Sequence, residues 1–253
     1  MMIHSFLLIG QSNMAGRGFL DEAVEVESSH IMVLRNGRWQ PFYRPINCDR
    51  EAAGSCLAEK FAELYAKKYN VMVGLIPCAD SGTSLDQWKP GRLLFDHAVF
   101  QAKLAQRSST IAGVLWHQGE SDCSPDLYPT YQPRFEAVMN AFRKELDLYD
   151  VPFVLGELGD YLADCVHPRI KHMENYHYVN DALRRIAAQN PMTAIASAKG
   201  LGANEDNLHF NAKSLYEFGI RYFEQFEKIK DPNKFFEEKN FDDAVSLLVM
   251  ERL

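Results

Sequence analysis

The chain has 253 residues, 47% of them apolar and 24% charged, a composition that suits a soluble globular protein and excludes disordered and fibrous classes. Its net charge of -7, with no cluster of Lys or Arg, argues against nucleic acid as a partner, because neutralising phosphates takes a basic face. The five cysteines, at 48, 56, 78, 123 and 165, make neither a dense disulfide framework nor a CxxC metal site, so free thiols in a reducing compartment are expected. The opening MMIHSFLLIGQ lacks the basic region and small-residue cleavage site of a signal peptide, and no apolar run approaches bilayer length. A cytoplasmic protein with no membrane partner is expected.

From the N-terminus, the apolar run Ile3 to Ile9 predicts a first strand, with Gln11-Ser12-Asn13-Met14-Ala15-Gly16 at its carboxyl end where a helix begins. Ile31 to Phe42 carries Asn36-Gly37 between Val33-Leu34 and Trp39, a hairpin signal expected to lie on the surface. Helical periodicity near Ala52 to Tyr69 leads into a strand at Val71 to Ile76. A helix near Leu93 to Gln106 precedes the strand Ile111 to Trp116. Between Tyr128 and Leu148, Tyr131, Phe135, Val138, Met139, Phe142 and Leu146 recur at three and four residues and define one buried helical stripe. Phe153 to Gly156 and Thr193 to Ala196 then read as strands, with helices near Asn175 to Gln189 and Asn211 to Phe226. This alternation predicts a flavodoxin-like α/β/α sandwich with a five-stranded parallel sheet, one domain over residues 1–253. The segment from Asp231 to Leu253 is charged first and apolar last, and is expected to dock as a helical extension.

The chemistry concentrates at strand ends. A hydroxyl at the carboxyl end of a first strand points into the crevice of an open sheet, where turn N–H groups can hold an oxyanion; Ser12 occupies that place. A serine is a weak nucleophile until a base takes its proton, and an imidazole whose tautomer is fixed by a carboxylate is a good base near neutral pH. Asp206-Asn207-Leu208-His209, after the last strand, offers both groups three residues apart. On the same edge, Val71 to Ile76 runs into Cys78-Ala79-Asp80-Ser81-Gly82-Thr83-Ser84-Leu85-Asp86-Gln87-Trp88, and Ile111 to Trp116 runs into His117-Gln118-Gly119-Glu120-Ser121-Asp122.

Taken together, these blocks resemble those of the SGNH hydrolases, most closely the branch of sialate O-acetylesterases and carbohydrate esterase family 6 acetylxylan esterases. The resemblance runs from residue 5 to about residue 215. It implies a serine esterase that removes O-acetyl groups from carbohydrates, with Ser12, Asp206 and His209 catalytic. The same resemblance implies an oxyanion hole made of the Ser12 and Gly82 N–H groups and the Gln118 side-chain amide. No cofactor or metal is implied, and the expected partner is a small O-acetylated carbohydrate, either an acetylated xylo-oligosaccharide or a sialic acid. Ser81 departs from the pattern, standing where the family has a glycine.

Gln11, Asn13, Arg17, Trp88, His117 and Glu120 are expected to bind substrate or to support the residues that do. For each a plainer role stands beside the functional one. Arg17 can bind a sugar carboxylate or pair with an acidic neighbour, Trp88 can stack on a sugar or pack in the core, and Trp116 packs. Glu120 and Asp122 are expected to hold the catalytic loops, and Glu157 and Asp160 to brace the loop after the fourth strand. A metal site at His117, Glu120 and Asp122 is disfavoured because the spacing matches no HExxH helix. His4, His30, His97, His167, His172 and His177 have no distinguishing spacing. An inactive carbohydrate-binding protein on the same fold is the alternative from another class. A nucleotide or flavin binder is disfavoured, since GQSNMAGRG lacks the glycine pattern of a phosphate loop.

Overall fold

A computed structural model describes residues 2–166 and 170–229. The expected extension at 231–253 and His167 lie outside the described residues. The first strand, β1 (Ile3–Gly10), is buried along its whole length and occupies the middle of the sheet. A single helical turn, α1 (Ser12–Ala15), follows it at once. The chain continues through β2 (Ile31–Arg35), β3 (Arg38–Pro41), α2 (Leu57–Tyr69), β4 (Met72–Pro77), α3 (Leu93–Ala105), β5 (Thr110–His117) and α4 (Tyr131–Leu146). It ends with β6 (Phe153–Gly156), α5 (Tyr176–Gln189), β7 (Thr193–Ala196) and α6 (Ala212–Ile229).

The sheet has seven strands in the order β3-β2-β4-β1-β5-β6-β7. Its β4-β1-β5-β6-β7 portion is parallel throughout and is the flavodoxin-like core the alternation predicts. The expected count of five omits the hairpin, which does not lie on the surface. Instead β2 pairs in parallel with β4, and β3 closes back on β2 antiparallel as the sheet edge. The reason is burial: Ile31, Met32, Val33 and Leu34 are all inaccessible, a continuous apolar run of the kind a strand covered on both faces requires. Asn36 and Gly37, with φ of 51° and 72°, make the tight turn between the two strands.

Helices cover both faces. Phe61 and Tyr65 of α2 pack with Phe218, Tyr222 and Phe226 of α6 against Phe6 and Leu8 on one side. On the other, Phe95 of α3, Phe135 and Phe142 of α4 and Leu183 of α5 pack against Leu7, Ile9, Val114 and Trp116. The stripe predicted for the third long helix is buried as expected, but the helix proper starts at Tyr131, after a 3-10 turn over Tyr128–Thr130 that contains Pro129. Likewise α2 starts at Leu57 rather than near Ala52. Ser55 is bridged to Gly18, and the Cys56 N–H donates to the Glu59 carboxylate, which sets the helix start there. Among the described residues no helix is long and apolar enough to cross a membrane.

Candidate active site

In a sheet of this order the crevice opens where successive connections leave in opposite directions, at the carboxyl ends of β1 and β5. Gln11 bonds across that gap, its N–H donating to His117 O at 2.9 Å, so the turn carrying Ser12 is fastened to the end of β5. Ser12 follows, with its Oγ 3.0 Å from His209 Nε2. His209 Nδ1 lies 2.6 Å from Asp206 Oδ2. A carboxylate only accepts, so Nδ1 carries the proton and Nε2 is left as the acceptor facing the serine. Asp206 Oδ1 accepts two more bonds, from the N–H groups of Leu208 and His209 at 2.9 and 3.0 Å. Partial burial alone would raise its pKa. The bonds from His209 and these N–H groups overcome that and hold it at about 2.

The His209 loop is held on the Ser12 turn by Asn13. Its Nδ2 donates to Leu208 O at 3.2 Å, and its Oδ1 accepts the Phe210 N–H at 3.1 Å, so the residues flanking His209 hang from one side chain. Asn13 Nδ2 also donates to Glu120 Oε1 at 2.6 Å. Glu120 is fully enclosed beside His117, whose Nε2 is 3.5 Å away. Burial pushes the Glu120 carboxyl up, but the His117 imidazole and Asn13 outweigh it and hold it below the usual range. His117 itself sits edge-on to Phe210 and Phe218, behind the site and without solvent access. Apart from Glu120, its contacts are with the packing under the loop. Asn204, which sequence reasoning did not single out, adds a second tether: its N–H donates to His209 O at 2.8 Å, and its Nδ2 to Arg17 O at 2.9 Å. An asparagine inside GANEDNLH carries no spacing signal that would have revealed it.

Gly82 adopts φ of +70°, and a Cβ on it would meet nothing within 4 Å. Glycine is therefore demanded by the left-handed backbone rather than by crowding. The Gln118 side chain is placed differently from expectation. Both N–H bonds of its amide are used, to Thr83 O at 3.0 Å and Asp122 Oδ2 at 2.6 Å, and its Oε1 accepts from the Tyr131 hydroxyl at 3.2 Å. It is fully buried and offers no free donor for an oxyanion; it holds the Gly82–Thr83 loop from below. Asp122 completes that brace by accepting the Leu85 N–H at 2.9 Å and Arg134 Nη2 at 2.8 Å. Trp88 is likewise core: fully buried, edge-on to Trp116, with its indole N–H on Thr83 Oγ1 at 3.1 Å.

Arg17 pairs with an acidic neighbour. Its guanidinium meets both oxygens of Asp49, a residue that no sequence motif marked. Gln11 is buried, with Oε1 accepting the Ser121 N–H at 3.4 Å. Glu157 braces the loop after β6 by accepting from Arg184, Ser197 and the Ala198 N–H. Among the described residues no group of three or more His, Cys, Asp or Glu could hold a metal ion. The arrangement can chemically do one thing directly: move a proton from Ser12 Oγ to His209 Nε2 and hold the resulting imidazolium against Asp206.

The sequence matches the family described as carbohydrate esterase, sialic acid-specific acetylesterase over residues 2–228. A probable carbohydrate esterase of Arabidopsis thaliana is 25% identical over 242 residues, which covers 85% of this chain and 86% of that one. An X-ray structure of the Arabidopsis thaliana protein superposes with a TM-score of 0.79 at 24% identity, covering 89% of this chain and 98% of its own. NanS superposes with a TM-score of 0.68 at 16% identity, over 90% of this chain and 97% of its own. A carbohydrate acetylesterase from Xanthomonas citri gives 0.66 at 15% identity, over 89% of this chain and 56% of its own. What this chain shares with these structures is the fold. By its sequence match over residues 2–228, the chain belongs to the sialic acid-specific acetylesterase family of carbohydrate esterases.

Proposed function

We propose that the protein is a serine esterase that removes O-acetyl groups from carbohydrates through an acyl-enzyme. The observation that carries this is the unbroken line from Ser12 Oγ through His209 to Asp206, at 3.0 and 2.6 Å. His209 Nε2 takes the Ser12 proton as Oγ bonds to the acetyl carbonyl carbon. The tetrahedral oxyanion is held by the N–H groups of Ser12 and Gly82. His209 returns the proton to the sugar oxygen as the C–O bond breaks and the alcohol leaves. Water, deprotonated by the same nitrogen, then adds to the acetyl carbonyl, and acetate departs as Ser12 recovers its proton. Asp206 stays ionised throughout and stabilises the imidazolium. The connected triad speaks against an inactive binding protein.

O-acetylated sialic acids are proposed as substrates on the strength of the family, and acetylated xylo-oligosaccharides on the resemblance of the sequence blocks alone. The unpaired state of all five cysteines supports a cytoplasmic setting. The test is hydrolysis of an aryl acetate by the wild type and by Ser12→Ala, followed by acetate release from the two classes of sugar. Ser12→Ala is expected to lose turnover by about 10⁴-fold or more. A folded wild type inert on every acetyl ester, or a Ser12→Ala variant as active as the wild type, would overturn the proposal.

A further inference from the structure

The two backbone segments that supply the oxyanion N–H groups meet on one carboxylate. Asp49, from the segment between β3 and α2, has only 3% of its side chain exposed. Its Oδ1 accepts Arg17 Nη1 at 3.2 Å, and its Oδ2 accepts Arg17 Nη2 at 2.7 Å. The same Oδ2 accepts the Ser81 N–H at 3.0 Å and the Ser81 hydroxyl at 2.6 Å. Arg17 also contacts Ser81 Oγ directly and donates through Nη1 to Gly16 O at 2.6 Å, which closes the turn behind Ser12. Arg17 therefore speaks for the nucleophile turn, and Ser81, next to Gly82, for the oxyanion loop. Alongside, Arg50 Nη2 donates to Asp80 Oδ1 at 2.9 Å and to Ser81 O at 3.3 Å.

We propose that Asp49 is a positioning residue that sets the spacing between the Ser12 and Gly82 N–H groups by clasping Arg17 and Ser81 together. The Ser81 hydroxyl is a second strap on the same clasp, at the position where the resembling families have a glycine. Donors fixed in advance stabilise developing charge without reorganising at the moment of reaction, and a displacement of about 1 Å at such a site costs on the order of 10²-fold in rate. A clasp of this kind acts on the transition state and leaves ground-state binding nearly untouched. Its signature is a fall in kcat at constant KM.

The inference rests on the esterase activity proposed above, and the experiment keeps the two apart. Asp49→Asn, Ser81→Ala, their double variant and Ser81→Thr are compared with the wild type on an aryl acetate, together with amide hydrogen exchange of the 79–84 segment. Asp49→Asn is expected to lower kcat by about 10- to 100-fold with KM within about twofold, and Ser81→Ala by a smaller factor of about 3- to 10-fold. The double variant should be no worse than Asp49→Asn, because members of one unit do not add. Ser81→Thr, which keeps the hydroxyl, should restore the rate, and exchange at 79–84 should quicken in Asp49→Asn and Ser81→Ala. If Asp49→Asn does not fold, Ser81→Ala decides alone. Unchanged kcat beside an active wild type, losses confined to KM, or additive losses would overturn the clasp and leave the esterase standing. Unchanged exchange at 79–84 overturns it whether or not the wild type is an esterase.

Discussion

At the scale of single residues, Asp206 makes the sharpest claim. Its carboxylate accepts three hydrogen bonds and is held at about 2, so it is ionised wherever the protein is folded and assayed. The acid limb of log kcat/KM should therefore fall with a slope of one and show no second break near the ordinary aspartate value of about 4. Because its pKa is depressed in the folded state, its contribution to stability is present above about pH 4 and fades as the pH falls toward 2. Asp206→Asn keeps the shape but presents an N–H to His209 Nδ1, which forces the wrong tautomer. A loss in kcat of about 10⁴-fold is expected, with a melting temperature at neutral pH somewhat below that of the wild type because the ionised carboxylate's contribution to stability is removed. That Ser12, Asp206 and His209 meet was legible because the residues sit in short local motifs at strand ends. The placement of the Gln118 side chain was not, because it is shared among Asp122 four residues on, Thr83 from the loop after β4 and Tyr131 at the start of α4. Asp49 was invisible for a similar reason: both its partners lie 32 residues away, one on each side.

At the scale of elements, the strands and helices of the parallel core were readable from period alone, and the hairpin was readable as a hairpin. Its place in the sheet was not, since a count of strand–helix alternations has no slot for two strands in succession. The informative signal is the continuous run Ile31-Met32-Val33-Leu34, which demands cover on both faces. Trp39 shows what the edge contributes. It is 5% exposed, its indole N–H donates to Ser108 Oγ at 3.0 Å, and its ring fills the space over Gly74, where a Cβ would come within 2.5 Å. Trp39→Ala should cost about 3–5 kcal/mol in denaturant unfolding. Activity per folded molecule should be unchanged, because Trp39 packs on Gly74 and Ser108, toward the amino ends of β4 and β5, whereas Ser12 follows the carboxyl end of β1 and the Gly82 loop follows that of β4. An equal loss of kcat in Trp39→Ala would show the hairpin to be coupled to the site.

At the scale of the whole molecule, two apolar cores separated by one sheet leave the crevice at its carboxyl edge as the common meeting place of distant segments. Asn13 bonds to residues near 120 and 208, and Ser12 meets a histidine 197 positions further along the chain. The loop bearing that histidine leads directly into α6, whose Phe218 and Tyr222 seat it on the sheet. Contacts of such long sequence separation form late, because loop closure must be paid before they return any energy. Reactivity of Ser12 is thus an order parameter for the last stage of folding. In refolding from denaturant, far-ultraviolet circular dichroism should recover before labelling of Ser12 by a fluorophosphonate does. Coincident recovery would mean that Ser12 and His209 find each other as early as the helices form. If the lag is seen, a polypeptide still emerging from the ribosome keeps Ser12 apart from His209, and the proposed nucleophile unarmed, until nearly all of the described chain has been made.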